Sequence, residues 1–387
     1  MKVWQDMTDS LAALAACDLL RQPVVVDSAV GARITVAGQE VVCLCSNDYL
    51  ALAAEPSVRQ AAAKAIDAWG VGAGASRLIS GTTSLHVQLE DAIAAFKGTE
   101  SAIVTTTGWM ANHAAIAALV GKGDLILADK LNHASIIDAA KSSGALLRTY
   151  GHRDVRRLEK MLSHRRGKFR RCLIVTDSLF SMDGDIAPLP ALAELKGRYD
   201  ALLMIDEAHA TGVLGEGGKG AAEMMGVERD IDVTVGTLSK AIGGLGGFVA
   251  GRRELTDTIL NTARCYIYTT ALPPAMCAAA MEALRIIQTQ PQRRKRLLEM
   301  AEDLRCRLHQ AGFDTAGSAS QIIPILIGSP GESLRMSREL LEEGFLVPAI
   351  RPPTVPRGSS RLRVSLCSAH TQADLERFAG ALVVAAQ

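Results

Sequence analysis

Lys240 lies in Gly236-Thr237-Leu238-Ser239-Lys240-Ala241-Ile242-Gly243-Gly244, 34 residues after Asp206 of Asp206-Glu207-Ala208-His209. A lysine amine condenses with an aldehyde cofactor to a Schiff base, and an upstream aspartate can pair that cofactor's pyridinium nitrogen. Together they point to pyridoxal phosphate chemistry. Asp206 closes the apolar run Ala201-Leu202-Leu203-Met204-Ile205, where a carboxylate is costly unless it meets a cation. A ring nitrogen held protonated there makes the ring an electron sink for a carbanion at an amino acid's Cα. His209, three residues on, is spaced to reach the ring's phenolic oxygen.

Other readings of these motifs fail on context. A helicase-type D-E-A-H needs Gly-x-x-x-x-Gly-Lys-Ser/Thr upstream, whereas the nearest imitation, Gly215-Glu216-Gly217-Gly218-Lys219-Gly220, lies downstream and lacks the hydroxyl residue. No second histidine stands at zinc-ligand spacing from His209, so no metal is expected. Gly70-Val71-Gly72-Ala73-Gly74-Ala75 follows the helical run Val58 to Trp69 rather than a strand, which makes it a tight loop and not a dinucleotide fingerprint. Gly108-Trp109 opens the helical stretch Met110 to Leu119, and free amides at a helix start bind phosphate. His133 follows a strand end and suits either stacking on a flat heterocycle or a structural role.

The elements that must position these residues form one rhythm. From Ser101 to Ala250, short apolar runs such as Ala102-Ile103-Val104, Leu125-Ile126-Leu127-Ala128, Cys172-Leu173-Ile174-Val175 and Val233-Thr234-Val235 alternate with helical patterns. That predicts a doubly wound, largely parallel sheet with ligands beyond the carboxyl ends of its strands. After Pro273-Pro274, helices through Ala278 to Thr289 and Leu297 to Ala311, with strands at Ile322 to Ile327 and Leu362 to Leu366, predict a smaller α+β domain. The expected organisation is an N-terminal arm at 1–47, a large domain at 48–284 and a small domain at 285–387.

At 387 residues, 48% hydrophobic, with a formal charge of +1, the chain reads as a globular α/β protein that engages no nucleic acid. No run of about 18 uncharged apolar residues predicts a membrane span. Leu11 to Leu20, flanked and interrupted by Asp6, Asp9 and Asp18, does not read as a signal peptide. Eight scattered cysteines without a C-x-x-C pair suggest buried, reduced thiols and a cytoplasmic location. The basic clusters Arg153 to Arg171 and Arg293-Arg294-Lys295-Arg296 read as solvated helix faces.

These motifs, with Ser46-Asn47-Asp48-Tyr49-Leu50, Gly74-Ala75-Ser76-Arg77-Leu78-Ile79-Ser80-Gly81 and Asp129-Lys130-Leu131-Asn132-His133-Ala134-Ser135, resemble the α-oxoamine synthases, fold-type I pyridoxal phosphate enzymes. The resemblance runs from about Asn47 to His370. It implies a large, mostly parallel seven-stranded sheet domain and a smaller α+β C-terminal domain. It further implies that Lys240 carries pyridoxal 5'-phosphate and is the acid/base at Cα, that Asp206 pairs the ring nitrogen, that His209 meets the ring oxygen and that His133 stacks on the ring. Gly108, Trp109 and Thr237 would hold the phosphate, with Thr269 and Thr270 reaching it from a second subunit of a homodimer. Ser181 would lie close to the cofactor, Arg363 and Asn47 would bind the amino acid, and Arg21 and Arg351 would meet the acyl chain's far end or the thioester.

Ala349-Ile350-Arg351-Pro352-Pro353-Thr354-Val355-Pro356, followed by Arg361-Leu362-Arg363, is most similar to the biotin-pathway branch of that family. This implies decarboxylative condensation of L-alanine with a pimeloyl thioester, carried on coenzyme A or an acyl carrier protein. Sister activities on glycine or serine with other acyl thioesters are the alternative, and a non-catalytic partner subunit is a remote one. Three positions depart from the pattern: Trp109 for Phe or Tyr, Asp177 for Glu, and Ala51 for Gly.

Overall fold

Runs of Leu, Ile and Val bounded by polar residues become strands when both faces are covered. The computed structural model describes residues 2–387. Its largest sheet contains β1 (Ser101–Thr105), β2 (Leu125–Asp129), β3 (Leu146–Tyr150), β4 (Cys172–Asp177), β5 (Leu202–Asp206), β6 (Val233–Thr237) and β7 (Gly247–Gly251). In space the order is β1-β7-β6-β5-β4-β2-β3. Neighbours from β3 through β6 pair in parallel, while β7 runs antiparallel to both β6 and β1. This is the seven-stranded, mostly parallel sheet expected, with β3 and β7 added to the strands read from sequence.

The reversal into β7 explains the glycines after Lys240. Gly243 has φ +76°, and a Cβ there would lie 2.5 Å from the backbone nitrogen of Ala53. A Cβ on Gly247 would lie 2.5 Å from the Thr107 carbonyl oxygen. Only bare backbone lets this turn close against the start of the helix Gly108–Leu119. That helix is rich in alanine, a strong helix former. Its Ala111, Ala114, Ala115 and Ile116 join Ile126, Val175, Val235 and Val249 in one buried cluster. Each buried Ile or Val contributes about 1.5–3 kcal/mol, so the helix start is firmly seated at the sheet's carboxyl edge.

The chain groups into two compact units, 52–181 with 186–294, which holds this sheet, and 1–51 with 182–185 and 295–387. In the second unit the hairpin Arg33–Val36 and Gln39–Cys43 gains Phe345–Leu346 as a parallel third strand. A separate sheet orders Ile322–Gly328, Ser360–Ser365 and Ala349–Ile350. Helices Pro330–Glu342 and Gln372–Ala385 belong to the same unit.

Two expectations are corrected. Arg294 is buried, donating at 2.8 Å to the Ile287 carbonyl and also bonding that of Glu216, while Arg293 pairs Glu55 at 2.7 Å. The cluster at 293–296 is therefore only half solvated: Arg293 and Arg294 are tied to Glu55 and to main-chain carbonyls, while Lys295 and Arg296 are exposed as expected. In the other cluster, Arg156, Arg157 and Lys160 are exposed. The eight cysteines are free thiols, but Cys17 and Cys306 are exposed rather than buried. Among the described residues no helix is long and apolar enough to cross a membrane.

Candidate active site

Because β4 and β5 pair in register, Asp177 and Asp206 stand opposite one another at the sheet's carboxyl edge, and both are buried. Asp206 Oδ1 accepts the Ala208 N–H at 2.8 Å, and Oδ2 accepts Asn112 Nδ2 at 2.8 Å. Asp177 Oδ2 accepts the His133 N–H at 2.7 Å. Burial, with Asp206 beside it, holds the Asp177 carboxyl well above the usual carboxylate range. Two neighbouring buried carboxylates are stable only where cationic charge can join them.

Lys240 supplies one cation. Its Nζ lies 2.9 Å from His209 Nε2, and its charge acts on both Asp177 and His133. Thus Lys240, His209, Asp206 and His133, singled out from sequence, are brought together, and Asp177 joins them.

Sequence reasoning missed the pair that organises this group. Asn112 sits in the helical stretch Met110 to Leu119, whose only other polar residue is His113, and a buried amide there was the available signal. A carboxylate only accepts, so the Asn112 nitrogen must face Asp206; its second N–H donates to Ser135 Oγ at 2.8 Å. Ser135 Oγ, having accepted, turns its own proton to His133 Nδ1 at 2.7 Å, and the Ser135 N–H points at the same atom from 3.3 Å. Two donors on Nδ1 place the imidazole proton on Nε2. Burial reinforces this by holding the His133 pKa below its ordinary value, partly opposed by Asp206. His133 is therefore a neutral ring with its N–H on the far nitrogen.

The helix Gly108–Leu119 forms the other end of the site. Thr107 Oγ1 caps it by accepting the Met110 N–H at 3.2 Å, leaving the amides of Gly108 and Trp109 at the positive end of the helix. A Cβ on Gly108 would fall 3.2 Å from Thr237 Cβ, so these two residues are in contact. Thr237 Oγ1 lies 2.7 Å from Ser239 Oγ and 2.8 Å from the Gly246 carbonyl. The Trp109 ring stacks on His113 at 5.9 Å and meets His133 edge-on at 6.0 Å. Its indole departs from the commoner Phe or Tyr without disturbing the backbone amide.

An amine, a pair of buried carboxylates, a neutral imidazole and a helix start make a donor set. It fits a flat phosphorylated aldehyde with a basic ring nitrogen. Ser181 is half-buried after β4, and Thr270, exposed, bridges Ser76. Thr269 is half-buried beside it.

Arg21, Asn47, Arg351 and Arg363 belong to the other unit. Arg363 is buried on strand Ser360–Ser365, with Nη1 donating to Ser365 Oγ at 2.9 Å and Nη2 3.5 Å from Asn47 Oδ1. Arg21 reaches the Pro352 carbonyl and Thr354 Oγ1, each at 3.4 Å. Arg351 bonds the carbonyls of Asp18 and Leu20, and its pKa is lowered by burial and by Arg21 beside it. The structure thus groups these residues as two pairs, Asn47 with Arg363 and Arg21 with Arg351.

Residues 39–382 match the family described as aminotransferase class I and II. The 8-amino-7-oxononanoate synthase of Geobacter sulfurreducens is 51% identical over 354 residues, covering 91% of this chain and 90% of that protein. The serine palmitoyltransferase of Sphingomonas wittichii superposes with a TM-score of 0.93 at 33% identity, covering 98% of this chain and 96% of that one. A structure titled as SPT with a PLP internal aldimine also gives 0.93, at 31% identity, covering 99% and 97%.

Proposed function

The chain belongs to the class I and II aminotransferase family, and from that premise we propose that it condenses L-alanine with a pimeloyl thioester. The products are 8-amino-7-oxononanoate, carbon dioxide and free thiol, a step of biotin biosynthesis, and the cofactor is pyridoxal 5'-phosphate. The observation that carries the reading is Lys240 Nζ 2.9 Å from His209 Nε2, beside the buried Asp206 and Asp177. When bound, the cofactor supplies an aldehyde for the amine and an electron sink for a carbanion at the amino acid's Cα.

The chain's own residues then divide the work. Asp206, tethered by Ala208 and Asn112, holds the ring nitrogen's proton. Gly108 and Trp109 amides and the Thr237 hydroxyl receive the phosphate. His133, neutral and fixed by Ser135 and Asp177, would lie against the ring face, and His209, which orients Lys240, would meet the ring oxygen. Lys240 takes the proton from Cα and returns one before product leaves. Arg363 grips the amino acid's carboxylate with its guanidinium fork while Asn47 orients it. The adjacent Arg21 and Arg351 receive the far end of the acyl chain or the thioester's phosphates, whether the carrier is coenzyme A or a carrier protein. Ser181 completes the cofactor's surroundings.

We read the active form as a homodimer. The support is an exposed apolar stripe on the helix Lys2–Ala16, with Val3, Met7 and Leu11 each more than half exposed, and the exposed Ile79 and Tyr268. Thr269 and Thr270, next to Tyr268, then serve the phosphate of the second copy. The arm 1–47, the large domain 48–284 and the small domain 285–387 are the functional divisions we assign, and eight free thiols support a cytoplasmic location.

The test measures thiol release from pimeloyl-coenzyme A with L-alanine beside glycine with acetyl-coenzyme A and serine with palmitoyl-coenzyme A. Release with the first pair is expected. Preference for either other pair assigns the chain to a sister activity, since one methyl group discriminates by only about 1–3 kcal/mol.

A further inference from the structure

Cys43 and Cys45 stand two residues apart where the strand Gln39–Cys43 ends and the chain turns at Leu44 and Cys45. The turn brings both side chains to one side, with Sγ to Sγ 3.7 Å. Both are free thiols, Cys43 buried and Cys45 half-buried. Nothing in the proposed reaction uses either of them.

The surroundings distinguish the two sulfurs. The Cys45 thiol and the backbone amides of Cys45 and Ser46 stabilise a thiolate on Cys43, lowering its pKa to about 6, while Cys45 is the member that keeps its proton. A stabilised thiolate beside a protonated thiol is the arrangement in which one sulfur is oxidised and the other resolves it.

We propose that Cys43 and Cys45 are a peroxide-modified dithiol, closed to an intramolecular disulfide, and that closure loosens the grip of Asn47 and Arg363 on the amino-acid substrate. The first step is attack of the Cys43 thiolate on hydrogen peroxide, which forms an S–O bond, breaks the O–O bond and, with one proton, releases water. The Cys45 sulfur then attacks the sulfenic sulfur. The S–S bond forms, the S–O bond breaks, and hydroxide leaves with the Cys45 proton as a second water. Two thiols lose two electrons in all, and the peroxide gains them.

Closure must bring sulfurs 3.7 Å apart to a bond of about 2.05 Å. The Cys43 main chain cannot supply that movement. Its N–H donates to the Ala32 carbonyl at 2.8 Å, and its carbonyl lies 3.1 Å from His370 Nε2. Leu44 is held on both sides, its N–H by the Leu346 carbonyl at 3.1 Å and its carbonyl by the Ser365 N–H at 2.7 Å. The displacement therefore falls on Cys45 and the residues after it. Asn47 is two residues on, and its Oδ1 accepts from Tyr49 Oη at 3.0 Å and faces Arg363 Nη2. The Arg363 charge also acts on Cys45 directly. The consequence for catalysis rests on the reading of Arg363 as the carboxylate grip.

The experiment treats the cofactor-loaded enzyme with hydrogen peroxide, quenches, alkylates and digests with trypsin. Both cysteines fall in one peptide, Ile34 to Arg59. The expected peptide has lost two hydrogens and resists alkylation until dithiothreitol is added. In parallel, KM for L-alanine should rise about tenfold, the loss of one charge-assisted contact, and return with dithiothreitol. Cys43→Ser and Cys45→Ser should each abolish the reversible change. A peptide that stays fully alkylated, or that gains oxygen on Cys43 without closing, overturns the proposal. Closure with unchanged KM overturns the coupling to the grip. Arg363→Lys, assayed reduced, separates the two readings: unchanged alanine KM there refutes the role of Arg363 itself, whatever the cysteines do.

Discussion

Asn112→Leu tests whether the missed amide is a positioning residue or mere filling. The substitution keeps the branching of the side chain and removes two hydrogen bonds, one to the Asp206 carboxylate and one to Ser135 Oγ. Those are worth about 1.5–3 and about 1 kcal/mol respectively. Against this, Asn112 Oδ1 is buried with no partner in the structure. Removing it recovers a desolvation cost of about 1–3 kcal/mol. The terms partly offset, so urea unfolding should report a net loss of no more than about 3 kcal/mol. Catalysis has no such compensation: Asp206 keeps only the Ala208 N–H, and Ser135 loses the donor that directs its proton to His133. Loss of a supporting contact of this kind costs about 10–100-fold, so kcat/KM for L-alanine should fall by that factor, or about 1.4–2.7 kcal/mol. Nitrogen NMR of labelled histidine should show the His133 tautomer mixture shifting as well. A folded variant with kcat/KM within about twofold of the parent and an unchanged His133 signal would refute the positioning role.

His370 is buried, with its pKa lowered to about 4 from the ordinary 6.5. The unfolded chain therefore binds the extra proton first, and stability is lost as pH falls from about 6.5 to about 4, by about 3 kcal/mol. Urea titrations should show that slope flattened in His370→Gln; an equal slope would contradict it. Ala51 has φ +54°, the left-handed region that explains why glycine is commoner there. Ala51→Gly should raise the unfolding free energy by about 0.5–1 kcal/mol net of the added chain freedom, read by thermal unfolding, and a lower Tm would contradict the strain. Gly243→Ala places a Cβ 2.5 Å from the Ala53 nitrogen and should cost several kcal/mol, with loss of folded yield measured by circular dichroism.

Much of this architecture was legible because chemistry and pattern coincide in it. Apolar runs such as Cys172 to Val175 are followed by polar residues at the sheet's carboxyl edge, where ligands collect, so Asp177, Asp206 and Thr237 could be picked out by position. The edge strands were harder. Leu146–Tyr150 contains the exposed Arg148 and Thr149, which break the apolar run, and Gly247–Gly251 offers only three apolar residues between its glycines. Asn112 and Ser135 stayed hidden because their bonds, to each other, to Asp206 and to His133, join different elements of the fold. The partnership of Asp177 with the His133 backbone, and of Arg294 with carbonyls at 216 and 287, depends on tertiary approach between segments 44 or more residues apart, or on a turn that no local pattern announces. Ala51 was visible as a departure from the family pattern, and only its dihedral angle gives the departure a physical meaning.

Lys240, at the sheet's carboxyl edge, is the residue expected to carry pyridoxal phosphate. Incubating the enzyme with pyridoxal 5'-phosphate, reducing with borohydride and mapping the modified peptide tests it directly. A single stoichiometric phosphopyridoxyl group on Lys240 is expected, absent in Lys240→Ala together with thiol release. A stoichiometric adduct on another lysine, or none on a folded protein, would contradict it.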